Sequence, residues 1–202
     1  MEFRKNEWIG NWENFENYIY SEEPAMVKCW SEAEEYAKSM PMFKNGAKSF
    51  WITACDTIGD ENKIRLGGWK IQPTDDGIEI EWRDASGQNL GKYSYILERI
   101  VKKGLEAKEN FLFVAQDATK DVPFRYLLAM EPMPERSAIE HGGLLSHLHF
   151  QYASSVDLLL KDDKLCRPMW YATMCAESGS MLHRCNIVRA LHRLPKWGVL
   201  PE

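Results

Sequence analysis

The chain has 202 residues, 45% of them apolar and 12% aromatic, which is enough for one domain with a sizeable core, and residues 1–202 are read as a single domain. The formal net charge is −5 at pH 7, with acidic and basic residues interspersed, so no basic face for nucleic acid or an anionic membrane organises the molecule. Five cysteines (Cys29, Cys55, Cys166, Cys175 and Cys185) are an odd number without Cys-x-x-Cys spacing, which excludes a disulfide framework or a zinc ribbon and leaves reduced thiols, mostly in the core.

In chain order, the opening Met-Glu-Phe-Arg-Lys-Asn-Glu-Trp has no apolar leader, and no later stretch is long enough to span a bilayer, so a cytoplasmic protein is expected. Residues 7–20 support two readings. Trp8, Trp12, Phe15, Tyr18 and Ile19 recur at helical spacing, while Gly10-Asn11-Trp12 also suits the opening of a strand. The spacing of Val27, Trp30, Ala33, Ala37 and Met40 predicts a helix over about 22–39, capped by Ser21 and with Pro24 in its first turn.

From residue 49 the texture becomes short β-branched and aromatic runs between turn residues. It predicts strands at 49–55, 64–71, 77–83, 90–100, 111–116, 124–130 and 145–153. Asp75-Asp76-Gly77 and Ala85-Ser86-Gly87-Gln88-Asn89 are hairpin material. Seven strands so spaced predict a mainly β protein, an antiparallel meander closed into a barrel with N-terminal and C-terminal helices. The C-terminal helix is expected over about 180–194, with Met181, Cys185, Val188 and Leu191 on one face and Pro195 ending it. Arg184, Arg189, His192, Arg193 and Lys196 suit the C-terminal end of its dipole, and His183 and His192 are read as helix-surface residues.

The chemistry concentrates in Leu145-Ser146-His147-Leu148-His149-Phe150-Gln151-Tyr152. In an extended strand residues i and i+2 point the same way, about 6.5 Å apart at Cα. Two imidazoles so placed supply half of a divalent metal site, which needs three or four N, O or S ligands. The bland alternative is that Leu148, Phe150 and Tyr152 are the core face and that the histidines are turned to water. Cys166, Cys175 and Cys185 match no compact zinc knuckle by spacing and are read as core packing. No Gly-x-Ser-x-Gly, His-Glu-x-x-His, phosphate loop or dinucleotide fingerprint is present, so no enzyme is expected.

The order of several pieces resembles the ZinT (YodA) family of metal-binding, lipocalin-like proteins. These are Glu7-Trp8-Ile9-Gly10-Asn11-Trp12, with the Gly-x-Trp form that opens calycin barrels, then Asp76-Gly77-Ile78-Glu79-Ile80, Gly91-Lys92-Tyr93-Ser94-Tyr95, Phe111-Leu112-Phe113 and Ser146-His147-Leu148-His149-Phe150. The resemblance implies a calycin-type barrel with helical decorations and a metal site at one barrel mouth, built from three histidines and an exogenous ligand. Two of these map onto His147 and His149. The third falls at or beside Glu131, where no histidine stands, so the expected ligands are His147 and His149 with either Glu131 or His141, the latter in a connection longer than the family's. The family's mobile His-rich segment and its export signal are also missing.

The expected function is binding of zinc, with cadmium or nickel as other divalent candidates, for sequestration or the response to metal stress. Two further readings stay open. One is a metal-free carrier whose Trp- and Tyr-rich barrel cavity holds a small hydrophobic or aromatic ligand; the other is a metal-dependent hydrolase on the same scaffold.

Overall fold

Along Ile78-Glu79-Ile80-Glu81-Trp82 every second side chain is buried, the alternation that turns one face of a strand inward and the other outward. Strands with this pattern bury their inner faces together when the sheet closes. The computed structural model describes residues 2–201. Its elements are β1 (Gly10–Asn14), α1 (Glu16–Ile19), α2 (Pro24–Ala37), α3 (Ala47–Cys55), β2 (Leu66–Pro73), β3 (Ile78–Asp84), β4 (Asn89–Val101), β5 (Asn110–Ala115), β6 (Tyr126–Ala129), α4 (Ser137–Glu140), β7 (His147–Ala153), β8 (Leu160–Lys161), β9 (Lys164–Leu165), β10 (Ala172–Ala176) and α5 (Met181–Leu191). Eight strands close in the order β1-β10-β7-β6-β5-β4-β3-β2, antiparallel throughout, and β8 with β9 forms a separate hairpin. Closure removes the unpaired edges that an open meander would expose.

The barrel interior is filled with rings. Trp69, Trp82, Phe124, Phe150 and Tyr152 lie with centroids 4.4 to 6.2 Å apart, and Trp8 packs edge-on against Phe111 and Phe113. The expected Trp- and Tyr-rich ligand cavity inside the barrel is therefore corrected: those side chains pack on one another and are the core.

A helical layer covers the outside of the wall formed by β1, β10 and β7. The buried stripe of α2, Met26, Cys29, Trp30, Ala33 and Ala37, has the i, i+3, i+4 spacing of an amphipathic helix, and α2 packs on α5. With Phe15, Tyr18, Phe43, Cys175 and Ile187 these residues form a second core. α3 begins at Gly46, which has no side chain to cap it, and Glu34 of α2 does so from a distance. Its carboxylate accepts the N–H groups of Ala47 and Lys48 at 2.8 and 2.7 Å. Glu34→Ala should cost about 1 kcal/mol, the usual worth of a lost N-cap, seen as a lower urea midpoint with an unchanged slope.

The structure departs from the sequence reading in several places. Residues 49–55 are not a strand but most of α3, because Glu34 caps the segment and Ala47, Phe50, Trp51 and Ala54 pack at helical spacing into the second core. Residues 7–20 divide between the two readings, a strand followed by one helical turn. β10 was not foreseen: all five of its residues are buried, so it lacks the alternation that marks a strand with one face in water. The helix expected over 22–39 is α2, where Met26 rather than the half-exposed Val27 joins the buried stripe; Ser21 Oγ accepts the Glu23 N–H instead of capping it. Cys166 is exposed, and His192 is wholly buried rather than on a helix surface.

Candidate functional site

The alternation along β7 puts His147 and His149 on one face and Leu148, Phe150 and Tyr152 on the other, and the second set is inside the barrel. The imidazoles therefore leave the outer wall, which corrects the expectation of a site at the barrel mouth. They do not face open water either. α3 and α5 lie over this wall, and the two rings line a cavity of about 390 Å³ with Phe15, Trp51, Tyr171 and Ile187. Their ring centroids are 5.3 Å apart.

Register places β10 beside them, with Thr173 opposite His149 and Cys175 opposite His147. Thr173 Oγ1 lies 2.7 Å from the Tyr171 carbonyl and 2.8 Å from His149 Nδ1. The Tyr171 carbonyl can only accept, Cys55 Sγ stands 3.4 Å from the same Oγ1, and His149 Nδ1 donates to Oγ1 or accepts from it according to the tautomer of the ring. In the tautomer protonated at Nδ1 the neutral ring carries a bare lone pair on Nε2; in the other, Nε2–H faces Glu106. His147 Nδ1 is buried without a partner.

The third group comes from a loop that offered no sequence signal. Glu106, between β4 and β5, sets Oε1 3.3 Å from His149 Nε2, while Lys108 donates to Oε2 at 2.6 Å. Glu106 and Ala107 both have left-handed backbones, φ 54° and 56°, a conformation that costs non-glycine residues roughly 1–2 kcal/mol each. Buried Asn110 holds the loop there, accepting the Leu105 N–H at 2.7 Å, and Gly104 N–H bonds to the Lys108 carbonyl at 2.8 Å.

The electrostatics keep the site acceptor-rich. Burial pushes the His147 pKa down, and burial together with His147 pushes that of His149 down to about 4, so both rings are neutral near pH 7. The Lys108 ammonium holds Glu106 below the usual carboxylate range. The Glu106 carboxylate oxygen stands 3.3 Å from His149 Nε2, a hydrogen bond when Nε2 carries the proton and two ligand atoms side by side when Nδ1 does.

Neither of the expected additional ligands touches the pair: each is engaged elsewhere. Met130 and Met133 N–H groups bond to the His149 and His147 carbonyls at 3.0 and 2.8 Å, and the residues between them, Glu131 and Pro132, bulge off the ladder. Glu131 turns to Arg4, accepting from Nε at 2.7 Å, and lines a separate surface cavity. His141 caps the end of α4 with Nδ1 2.9 Å from the Ser137 carbonyl. α4 is itself pinned by Glu7, which accepts from Ser137 N and Oγ at 3.0 Å each. His183 Nε2 lies against the Leu144 carbonyl, and His192 Nε2 accepts from Trp51 Nε1 at 3.0 Å. Among the described residues, no group of three or more His, Cys, Asp or Glu side chains is placed to hold a metal ion.

In fold, the chain is similar to the Zn(II)-bound ZinT-like domain of Streptococcus pneumoniae AdcA, with a TM-score of 0.55, 15% sequence identity, and coverage of 95% of this chain and 91% of that one. At that identity the likeness establishes a ZinT-like, calycin-type barrel and speaks to fold alone. No family model and no curated protein matches the chain.

Proposed function

We propose that this protein binds a divalent cation, zinc first, through His149, Glu106 and His147, and that the ion is cargo to be held rather than a catalytic cofactor. The observation that carries the reading is the 3.3 Å separation of two atoms that can both ligate a metal, His149 Nε2 and Glu106 Oε1. Two ligands bonded to one tetrahedral zinc at 2.0–2.1 Å stand about 3.3 Å apart. A cation between them, with the ring proton on Nδ1, is held by two bonds. In that tautomer the Nδ1–H···Oγ1 bond to Thr173 supplies the outer partner that zinc-binding histidines commonly have, and His147 Nδ1 is a third nitrogen in the same wall. The structural neighbour is a Zn(II)-bound domain, which supports this reading.

Two imidazoles and one carboxylate form a donor set that zinc accepts, and cadmium and nickel are reasonable competitors. The role that follows is sequestration or buffering of the ion. A hydrolytic role is less favoured, because Glu106, the carboxylate beside the pair, is engaged by Lys108.

Titration calorimetry of the untagged, chelator-treated protein with zinc near pH 7 tests the proposal. One ion should bind per chain. Glu131→Ala and His141→Ala should bind as wild type does, since both side chains are engaged elsewhere. Absence of binding by the wild type would overturn the reading.

A further inference from the structure

The cavity is much larger than an ion requires, and its two ends differ. At about 390 Å³ it lies within the 300–1,000 Å³ range of small-molecule pockets. One end is apolar, made by Phe15, Phe50, Trp51, Ile187 and Leu191. Trp51 has its N–H committed to His192 Nε2 at 3.0 Å, so it offers the cavity only its ring. Glu106, His147 and His149 line the other end, with Glu106 Oε1 3.3 Å from His149 Nε2. The lining residues Met42 and Leu191 are 59% and 37% exposed, so the space opens to solvent between α3 and α5.

We propose that this cavity receives an organic ammonium ion, a primary amine on a small aromatic or aliphatic body, with the –NH₃⁺ group on Glu106 and His149 and the body against Trp51 and Phe15. An ammonium brings three N–H donors and no acceptor, the complement of what the polar end presents. A carboxylate or phosphate head would meet lone pairs and a negative charge. Glu106 already receives one ammonium, Lys108 Nζ at 2.6 Å on Oε2, leaving Oε1 for a second. The Tyr171 ring, whose centroid is 5.6 Å from that of His149, flanks the same end, and an aromatic face beside a desolvated cation adds attraction. The inference does not rest on metal binding, although zinc and the amine would compete for the same lone pairs.

Calorimetry on the chelator-treated full chain tests it with 2-phenylethylammonium and, as a probe of matching shape and opposite charge, 3-phenylpropanoate. The amine should bind at least about tenfold tighter than the acid. Glu106→Gln should remove at least about tenfold of the amine's affinity, because a charge-assisted hydrogen bond becomes a neutral one. Glu106 lies on a partly exposed loop, so the variant should fold, which circular dichroism checks. Equal binding of amine and acid, no binding of either, or an unchanged affinity in Glu106→Gln would overturn the inference. Amine binding by a protein that takes up no zinc would sustain it while removing the metal reading. Zinc uptake without amine preference would do the reverse.

Discussion

His149→Ala should weaken zinc binding by more than a hundredfold, and Thr173→Val, which touches no metal, should weaken it by roughly 10–100-fold, the usual cost of losing an outer-shell partner. The first variant deletes a ligand from a set that has only three. The second keeps the size of the side chain and removes the acceptor that can hold the ring proton on Nδ1. With Oγ1 gone, a proton on Nδ1 has no partner, and the ring gains by carrying it on Nε2, where Glu106 Oε1 waits at 3.3 Å. That tautomer satisfies the carboxylate without a metal and occupies the lone pair that zinc needs. Zinc calorimetry on chelator-treated variants, with circular dichroism to confirm the fold, measures both effects. Wild-type affinity in Thr173→Val would remove the tautomer argument, and wild-type affinity in His149→Ala would place the ion elsewhere.

How much of this was legible in the sequence depends on which contacts set each feature. The barrel was legible because β3 and β7 alternate cleanly and hairpin turns separate the middle strands. β10 was not, because its outer face is roofed by helices and all five residues are buried. α3 was misread for the reverse reason: Ile52 and Thr53 favour a strand locally, while the cap that makes the segment helical comes from Glu34, thirteen residues before Ala47. The histidine pair was legible as a pair, since period two alone puts both rings on one face. Which face was inward depended on whether Leu148, Phe150 and Tyr152 or the histidines filled the barrel, and the apolar set does. Water on the other side was the wrong complement, because α3 and α5 had not been placed there. Glu106 was out of reach altogether. It comes from a loop whose two left-handed, non-glycine residues carry no residue-type signature, and its approach to His149 exists only after β4 and β5 have joined the barrel.

As pH falls from about 6.5 to about 4, the metal-free protein should lose stability, and His149 alone should contribute roughly 3 kcal/mol of the loss. Burial and the neighbouring His147 lower its pKa from 6.5 to about 4 in the folded chain. Over that interval the unfolded chain takes up a proton that the folded chain refuses, and each proton so favoured costs the native state about 1.36 kcal/mol per pH unit. The stabilisation is complete above the unfolded value, is withdrawn as pH falls towards the folded one, and changes no further below both. His147 and His192, also lowered mainly by burial, act in the same direction. Glu16 acts against them, because burial raises its pKa and protonation relieves a desolvated charge. Urea midpoints of chelator-treated protein at several pH values give the curve, and His149→Gln separates the contribution, since an amide keeps polar contacts without titrating. The wild type should lose about 3 kcal/mol more than His149→Gln across the interval. Parallel curves would mean that the ring takes up its proton in the folded protein over the same pH range as in the unfolded chain. In that case burial and His147 would not be lowering its pKa, and the loss of stability would have to come from the other groups.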